Sequence, residues 1–101
     1  MINQHITIPY DEIAAFCERH HIRKLSLFGS VLRTDFRPDS DVDVLVEFER
    51  DVRVSYLDLA AMQFQLAERF RREIDLLTLG ALSERFRQKM LRIAQVVYER
   101  T

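Results

Sequence analysis

Apolar residues along the chain fall into two periods, 3.6 and 2, and the switches between them mark the elements. Ile13, Phe16 and Cys17 recur at helical spacing behind Pro9, Asp11 and Glu12. Proline is tolerated at a helix start and acids are favourable in a first turn, which predicts a helix over Pro9–His20. Leu25-Ser26-Leu27-Phe28 is a short, mostly apolar run stopped by Gly29, and reads as a buried strand. A short helix is expected over Ser30–Thr34, then a loop holding Pro38. Val42, Val44, Val46 and Phe48 alternate with Asp41, Asp43, Leu45 and Glu47. That is a strand with one core face and a second face that begins acidic. Ser55 with Asp58 three residues on has the form of a capping box. Leu59, Met62, Leu66 and Phe70 then make an apolar stripe, predicting a helix over Ser55–Arg72. Glu73–Thr78 alternates again, with Ile74 and Leu76 on one side and Asp75 and Leu77 on the other, and Gly80 breaks the run. Phe86, Met90, Ile93 and Val97 predict a last helix over Ser83–Arg100. The expected order is α-β-α-β-α-β-α: an α/β (α+β) chain with a small open mixed sheet of three strands, flanked by helices.

At 101 residues this is one domain, and no linker or repeat divides it. A hydrophobic share of 48% supports a modest core, and 31% charged residues fit a folded, soluble chain rather than a disordered one. The net charge of -1 gives no overall attraction to nucleic acid or to an anionic membrane, so neither is expected as a direct partner. Charge is unevenly spread: residues 31–51 hold three Arg against seven Asp/Glu, while residues 52–101 hold nine Lys/Arg against six. Cys17 has no second cysteine to pair with, which fits a reducing compartment. The first five residues lack a basic-then-apolar signal pattern, and no apolar run approaches the roughly 20 residues of a membrane span. The expected location is the cytoplasm.

The acidic block breaks a local rule. Aspartate is depleted in strands, yet Asp41 and Asp43 sit at the start of one. Residues two apart on a strand point the same way, so their carboxylates stand side by side, about 7 Å apart along the chain. Such a pair repels unless a cation lies between, and oxygen donors select Mg²⁺, Mn²⁺ or Ca²⁺. Asp75 alternates away from its own apolar face and would join them if its strand lies alongside. Three carboxylates around two divalent ions is an arrangement used for in-line displacement at phosphorus. Gly29-Ser30 supplies the complement, a strand end where backbone N–H groups face outward and favour an anion. Arg33 lies one helical turn on and carries a planar donor fork. An anion cradle beside a cation site points to a metal–nucleoside triphosphate.

The pattern of Gly29-Ser30, ten intervening residues, and Asp41-Val42-Asp43 resembles the polymerase-beta-like nucleotidyltransferase superfamily, with Asp75 in the place of its later third carboxylate. The wider run, through "DSDVDVLVEF" and "EIDLLT" to "VVYER", is similar to the minimal nucleotidyltransferases that act as antitoxins beside HEPN-type ribonuclease toxins. The resemblance implies transfer of AMP from ATP to a tyrosine of such a toxin. It implies two Mg²⁺ ions, replaceable by Mn²⁺, held by Asp41, Asp43 and Asp75, with Asp75 also the general base. It implies phosphate contacts for Gly29, Ser30 and Arg33. Many relatives carry glycine after that arginine, where this chain has Thr34. Larger members add a domain that grips base and acceptor, and 101 residues leave no room for one. That favours a protein acceptor that brings its own grip over a small-molecule acceptor. The competing readings are an antitoxin that works by steric cover alone and transfer to a small molecule.

Each element of the pattern has a plainer meaning by itself. Gly-Ser is a common turn and Asp-x-Asp a common cap; the conjunction at this spacing, at the ends of two strands, carries the argument. His20-His21 reads as a favourable charge at a helix end. Arg69, Arg71 and Arg72 read as a solvated helix end. With glycine only at positions 29 and 80, neither a P-loop nor a GxGxxG fingerprint can form.

Overall fold

The computed structural model describes residues 6–29 and 41–100. Helix α1 runs over Tyr10–Arg19, strand β1 over Ile22–Phe28 and strand β2 over Val42–Phe48. Helix α2 follows over Tyr56–Phe70, strand β3 over Ile74–Thr78, helix α3 over Glu84–Ile93 and strand β4 over Gln95–Glu99. A 3₁₀ turn, Leu79–Ala81, falls where Gly80 was expected to break the chain. The expected helix over Ser30–Thr34 and the loop at Pro38 lie outside the described residues.

The four strands form one open mixed sheet in the order β3-β2-β1-β4. β1 is antiparallel to both of its neighbours, and β2 is parallel to β3. One face carries the main core. Leu25 and Leu27 of β1, Val42, Val44 and Val46 of β2 and Ile74 of β3 pack there against Ile13, Phe16 and Cys17 of α1 and Met62, Leu66 and Phe70 of α2. The other face is thinner, holding Phe28, Leu45 and Met90 of α3. Burial pushes the Cys17 thiol up to about 12, so it stays a protonated apolar filler at neutral pH.

The segment after Ser83 departs from expectation. The helix stops at Ile93, Ala94 is already extended (φ -68°, ψ 142°), and Gln95–Glu99 is a strand. Of the four residues expected to be buried by a longer helix, Met90 is buried, whereas Phe86 and Ile93 are 44% and 48% exposed. Val97 is half-buried, from the strand. Val96, Val97 and Tyr98 are β-branched and aromatic types that suit a pleated surface. The outer edge of β1 offers them a ladder, closed by Arg100 N–H donating to the Arg23 carbonyl at 2.8 Å. The sheet thus gains a fourth strand, and the three-strand count is corrected.

Helix α2 starts as expected. The Ser55 hydroxyl accepts from the Asp58 N–H at 3.1 Å, and the Asp58 carboxylate accepts from the Ser55 N–H at 3.0 Å. The Ser55 N–H donating to the Asp58 carboxylate, with the Ser55 hydroxyl beside it, holds that carboxyl below its ordinary range. Ser55→Ala removes one of the pair and should cost about 1 kcal/mol. Differential scanning calorimetry should show this as a melting point lower by about 4–8 °C for a domain of this size. An unchanged melting point would mean that the cap does not hold the helix in solution.

Candidate active site

The acidic residues gather at the end of the sheet where β2 and β3 begin. Both strands enter that end together because they run parallel, and Val42 N–H donating to the Glu73 carbonyl at 2.9 Å fixes the register. In that register Asp43 stands directly beside Asp75. Register partners on adjacent parallel strands share a face about 4.8 Å apart, so the two carboxylates occupy one patch. Asp41 precedes the strand by one residue, two positions before Asp43. Asp43 is half-buried; Asp41 and Asp75 are exposed. Val42 and Ile74, which flank these acids, are buried in the main core and hold the strand ends in place.

On its other side Asp43 pairs with Phe28 of β1, and the chain then turns at Gly29. Gly29 has φ +78°, a left-handed conformation that side chains rarely adopt. A Cβ placed on it would lie 2.1 Å from Asp43 Oδ2. Glycine at this position is therefore a requirement of the carboxylate, which comes up against the bare backbone. Ser30 and Arg33, the other two expected phosphate contacts, lie outside the described residues.

The donor set is all oxygen and anionic, which suits hard divalent cations. Among the described residues, no three His, Cys, Asp or Glu side chains are drawn together into a preformed cluster. The acids share a patch without closing around a point.

Among the described residues, one concavity borders the site and a larger one lies apart from it. A groove of about 380 Å³ runs along the β3 edge, with Gln63, Phe64 and Ala67 of α2 as one wall and Glu73, Ile74 and Asp75 as the other. Gln63 reaches across it to accept the outward-facing N–H of Leu76 at 3.1 Å, tying α2 to the edge strand one residue beyond Asp75. A larger cleft of about 650 Å³ lies between Phe48, Val54, Leu59 and Thr78. It sits at the opposite end of β2 from Asp43, about 17 Å away by the rise per residue, and shares no residue with the carboxylate patch. Gln63 and Phe64 did not stand out in the sequence. Phe64 falls off the inward stripe of α2, and a large aromatic off stripe was the available signal.

Paired strand-end carboxylates, a left-handed glycine at the adjoining turn and a mixed sheet backed by two helices define a nucleotidyltransferase-type core. Residues 11–101 match the family model described as polymerase beta, nucleotidyltransferase, and the chain belongs to that family. It is 33% identical over 81 residues to protein adenylyltransferase MntA of Thermococcus cleftensis, an alignment covering 80% of this chain and 78% of that protein. It is also 33% identical over 73 residues to a Methanocaldococcus jannaschii protein whose name provisionally gives it the same activity, covering 72% and 76% of the two chains. Among solved structures, one described as a minimal nucleotidyltransferase superposes with a TM-score of 0.70 at 33% identity, over 84% of this chain and 85% of the other. Two more share the fold at 17% identity. One is from a toxin–antitoxin complex with AMP-PNP (TM-score 0.75, 93% of this chain and 76% of that chain). The other is from a Shewanella oneidensis complex of a tri-AMPylated HEPN toxin with its MNT antitoxin (TM-score 0.61, 90% and 70%).

Proposed function

We propose that this protein is an antitoxin that transfers AMP from ATP to a tyrosine of a HEPN-type ribonuclease toxin in the cytoplasm, and so silences it. The observation that carries the reading is the alignment of Asp43 with Asp75 across β2 and β3, beside a glycine that the Asp43 carboxylate requires. The named relatives at 33% identity supply the acceptor class, since they are protein adenylyltransferases by name. The AMP-PNP and tri-AMPylated complexes come from chains that share this fold.

The chain's own residues divide the work. The turn at Gly29 and Ser30, with Arg33, receives the triphosphate through backbone N–H groups, a hydroxyl and a guanidinium. Asp41, Asp43 and Asp75 would hold two Mg²⁺ ions, or Mn²⁺ in their place. Bound there, the metal supplies charge neutralisation at the α-phosphate and at the departing oxygen. The tyrosine oxygen attacks the α-phosphorus and forms the new P–O bond. The bond from that phosphorus to the α–β bridging oxygen breaks, pyrophosphate leaves, and the phenolic proton passes to the Asp75 carboxylate. Asp75 lies exposed on the edge strand, open to an arriving acceptor, whereas the half-buried Asp43 lies between it and the turn at Gly29.

The test is persistence. Toxin incubated with ATP, Mg²⁺ and this protein, then separated from it, should remain inactive and carry the mass of AMP on a tyrosine. Full recovery of ribonuclease activity with no mass change would replace the transferase reading with neutralisation by steric cover.

A further inference from the structure

Helix α2 carries no charged side chain between Asp58 and Glu68. Its inward stripe, Met62, Leu66 and Phe70, accounts for the main core. The outward side of the same stretch carries exposed apolar residues as well, and no described residue buries them. Leu57 is 84% exposed and Phe64 75%, and Ala60 and Ala61 are exposed between them. Positions 57, 60, 61 and 64 lie three and four apart, so they form a single ridge. The seven steps from Leu57 to Phe64 span about 10 Å, more than one seated side chain would need. Tyr56, 92% exposed, extends it at the helix start. Aromatic and apolar residues with charge excluded from the centre are the composition of a protein–protein interface core.

The ridge ends at the groove that borders Asp75. Phe64 is both its last member and part of the wall of the 380 Å³ groove whose far wall is Glu73, Ile74 and Asp75. The acids nearest the ridge, Asp58 and Glu68 on α2 and Glu73 and Asp75 across the groove, are all exposed and favour a basic counter-surface. The arginines at positions 69, 71 and 72 collect at the far end of the helix.

We propose that the Leu57–Phe64 ridge is the docking surface for the acceptor protein. The acceptor seats an apolar, basic-rimmed face on the ridge, and the groove beyond Phe64 then leads its reactive side chain to Asp75. The proposal rests on the reading of a protein acceptor given above and adds the surface that recognises it. Remote docking of this kind raises the local concentration of the hydroxyl at the carboxylates and explains how a small domain selects one protein.

Leu57→Asp and Phe64→Asp, made singly, test it, with HEPN-type toxin as acceptor and α-labelled ATP as donor. Both side chains are exposed, so both variants should fold, and melting curves check that they do. Each should raise the KM for toxin at least tenfold. Glu18→Gln, on the exposed side of α1, is the control and should leave transfer at the wild-type rate. Calorimetric titration of toxin into an Asp43→Asn background, with and without Leu57→Asp, measures docking when no transfer occurs, and should show at least tenfold weaker binding with the added aspartate. A toxin KM and affinity within twofold of the parent in both variants would overturn the docking surface. So would loss of a wild-type homodimer on introducing Leu57→Asp with toxin affinity unchanged, because the ridge would then serve self-association. A wild-type protein that binds toxin without modifying it would sink the transferase reading alone, and the calorimetric comparison would still decide the ridge.

Discussion

Asp43→Asn should reduce AMP transfer by about a thousandfold or more, the scale lost when a group stabilising transition-state charge is neutralised. Asparagine keeps the size and shape of the side chain, and Val42 and Val44 on either side stay buried in the main core. The strand and its register with β3 should therefore survive, and the melting point should move little. What disappears is the anionic oxygen beside Asp75. A neutral amide cannot anchor a divalent cation with comparable strength, and the charge building at the α-phosphate is left unopposed. EDTA should silence the wild-type enzyme to the same degree. Transfer of label from α-labelled ATP to toxin, measured for wild type, Asp43→Asn and the double variant Asp41→Asn/Asp43→Asn, decides the matter. Substantial transfer by the folded double variant would remove both residues from the chemistry.

Gly29→Ala should damage the same site from behind. The new methyl group would stand 2.1 Å from Asp43 Oδ2 and 3.2 Å from its Cγ, so the carboxylate must swing away or the turn must open. The backbone at φ +78° adds its own penalty, about 1–2 kcal/mol for a residue with a side chain. A displacement near 1 Å at a reacting group is enough to lower the rate by about a hundredfold. A double-mutant cycle separates the two effects. Asp43→Ala removes the atoms that collide, so Gly29→Ala should cost less stability in that background than in wild type, while the penalty from φ persists in both. Equal costs in the two backgrounds, read from chemical denaturation, would show that glycine serves the backbone alone.

The parts of this fold that were legible in the sequence are those where local pattern and tertiary demand agree. The alternation through Asp41–Phe48 gave β2 and its two faces. Ser55 and Asp58 gave the start of α2, because a capping box is a contact between neighbours in the chain. The condition set for Asp75, that its strand lie alongside β2, is met, with Asp75 opposite Asp43; a one-residue slip would turn an apolar strand face outward, which the alternation of both strands forbids. The last segment was illegible for the opposite reason. Phe86, Met90, Ile93 and Val97 have helical spacing, and the strand over Gln95–Glu99 exists because β1 presents an open edge, which lies far away in sequence. The early start of β1 has the same origin. Ile22, Arg23 and Lys24 look unlike a strand locally, yet Lys24 pairs with Glu47 on one side and Glu99 on the other. Gln63 and Phe64 were missed because their roles depend on the groove between α2 and β3, which no local pattern encodes.

The position of β4 has a consequence for synthesis. Leu25 finds its partner, Tyr98, only 73 positions later. At a translation rate of about 5–20 residues per second, that is a wait of about 4–15 s. By then every carboxylate of the site has been made, along with both helices of the main core. The outer edge of β1 meanwhile stays open, and an open edge accepts foreign strands. A ribosome that stalls short of residue 95 releases a chain with all its chemical groups and an incomplete sheet, better suited to a protease or an aggregate than to catalysis. The closing strand thus acts as a check on the sheet: β1 is paired along both edges only after residues 95–99 have emerged.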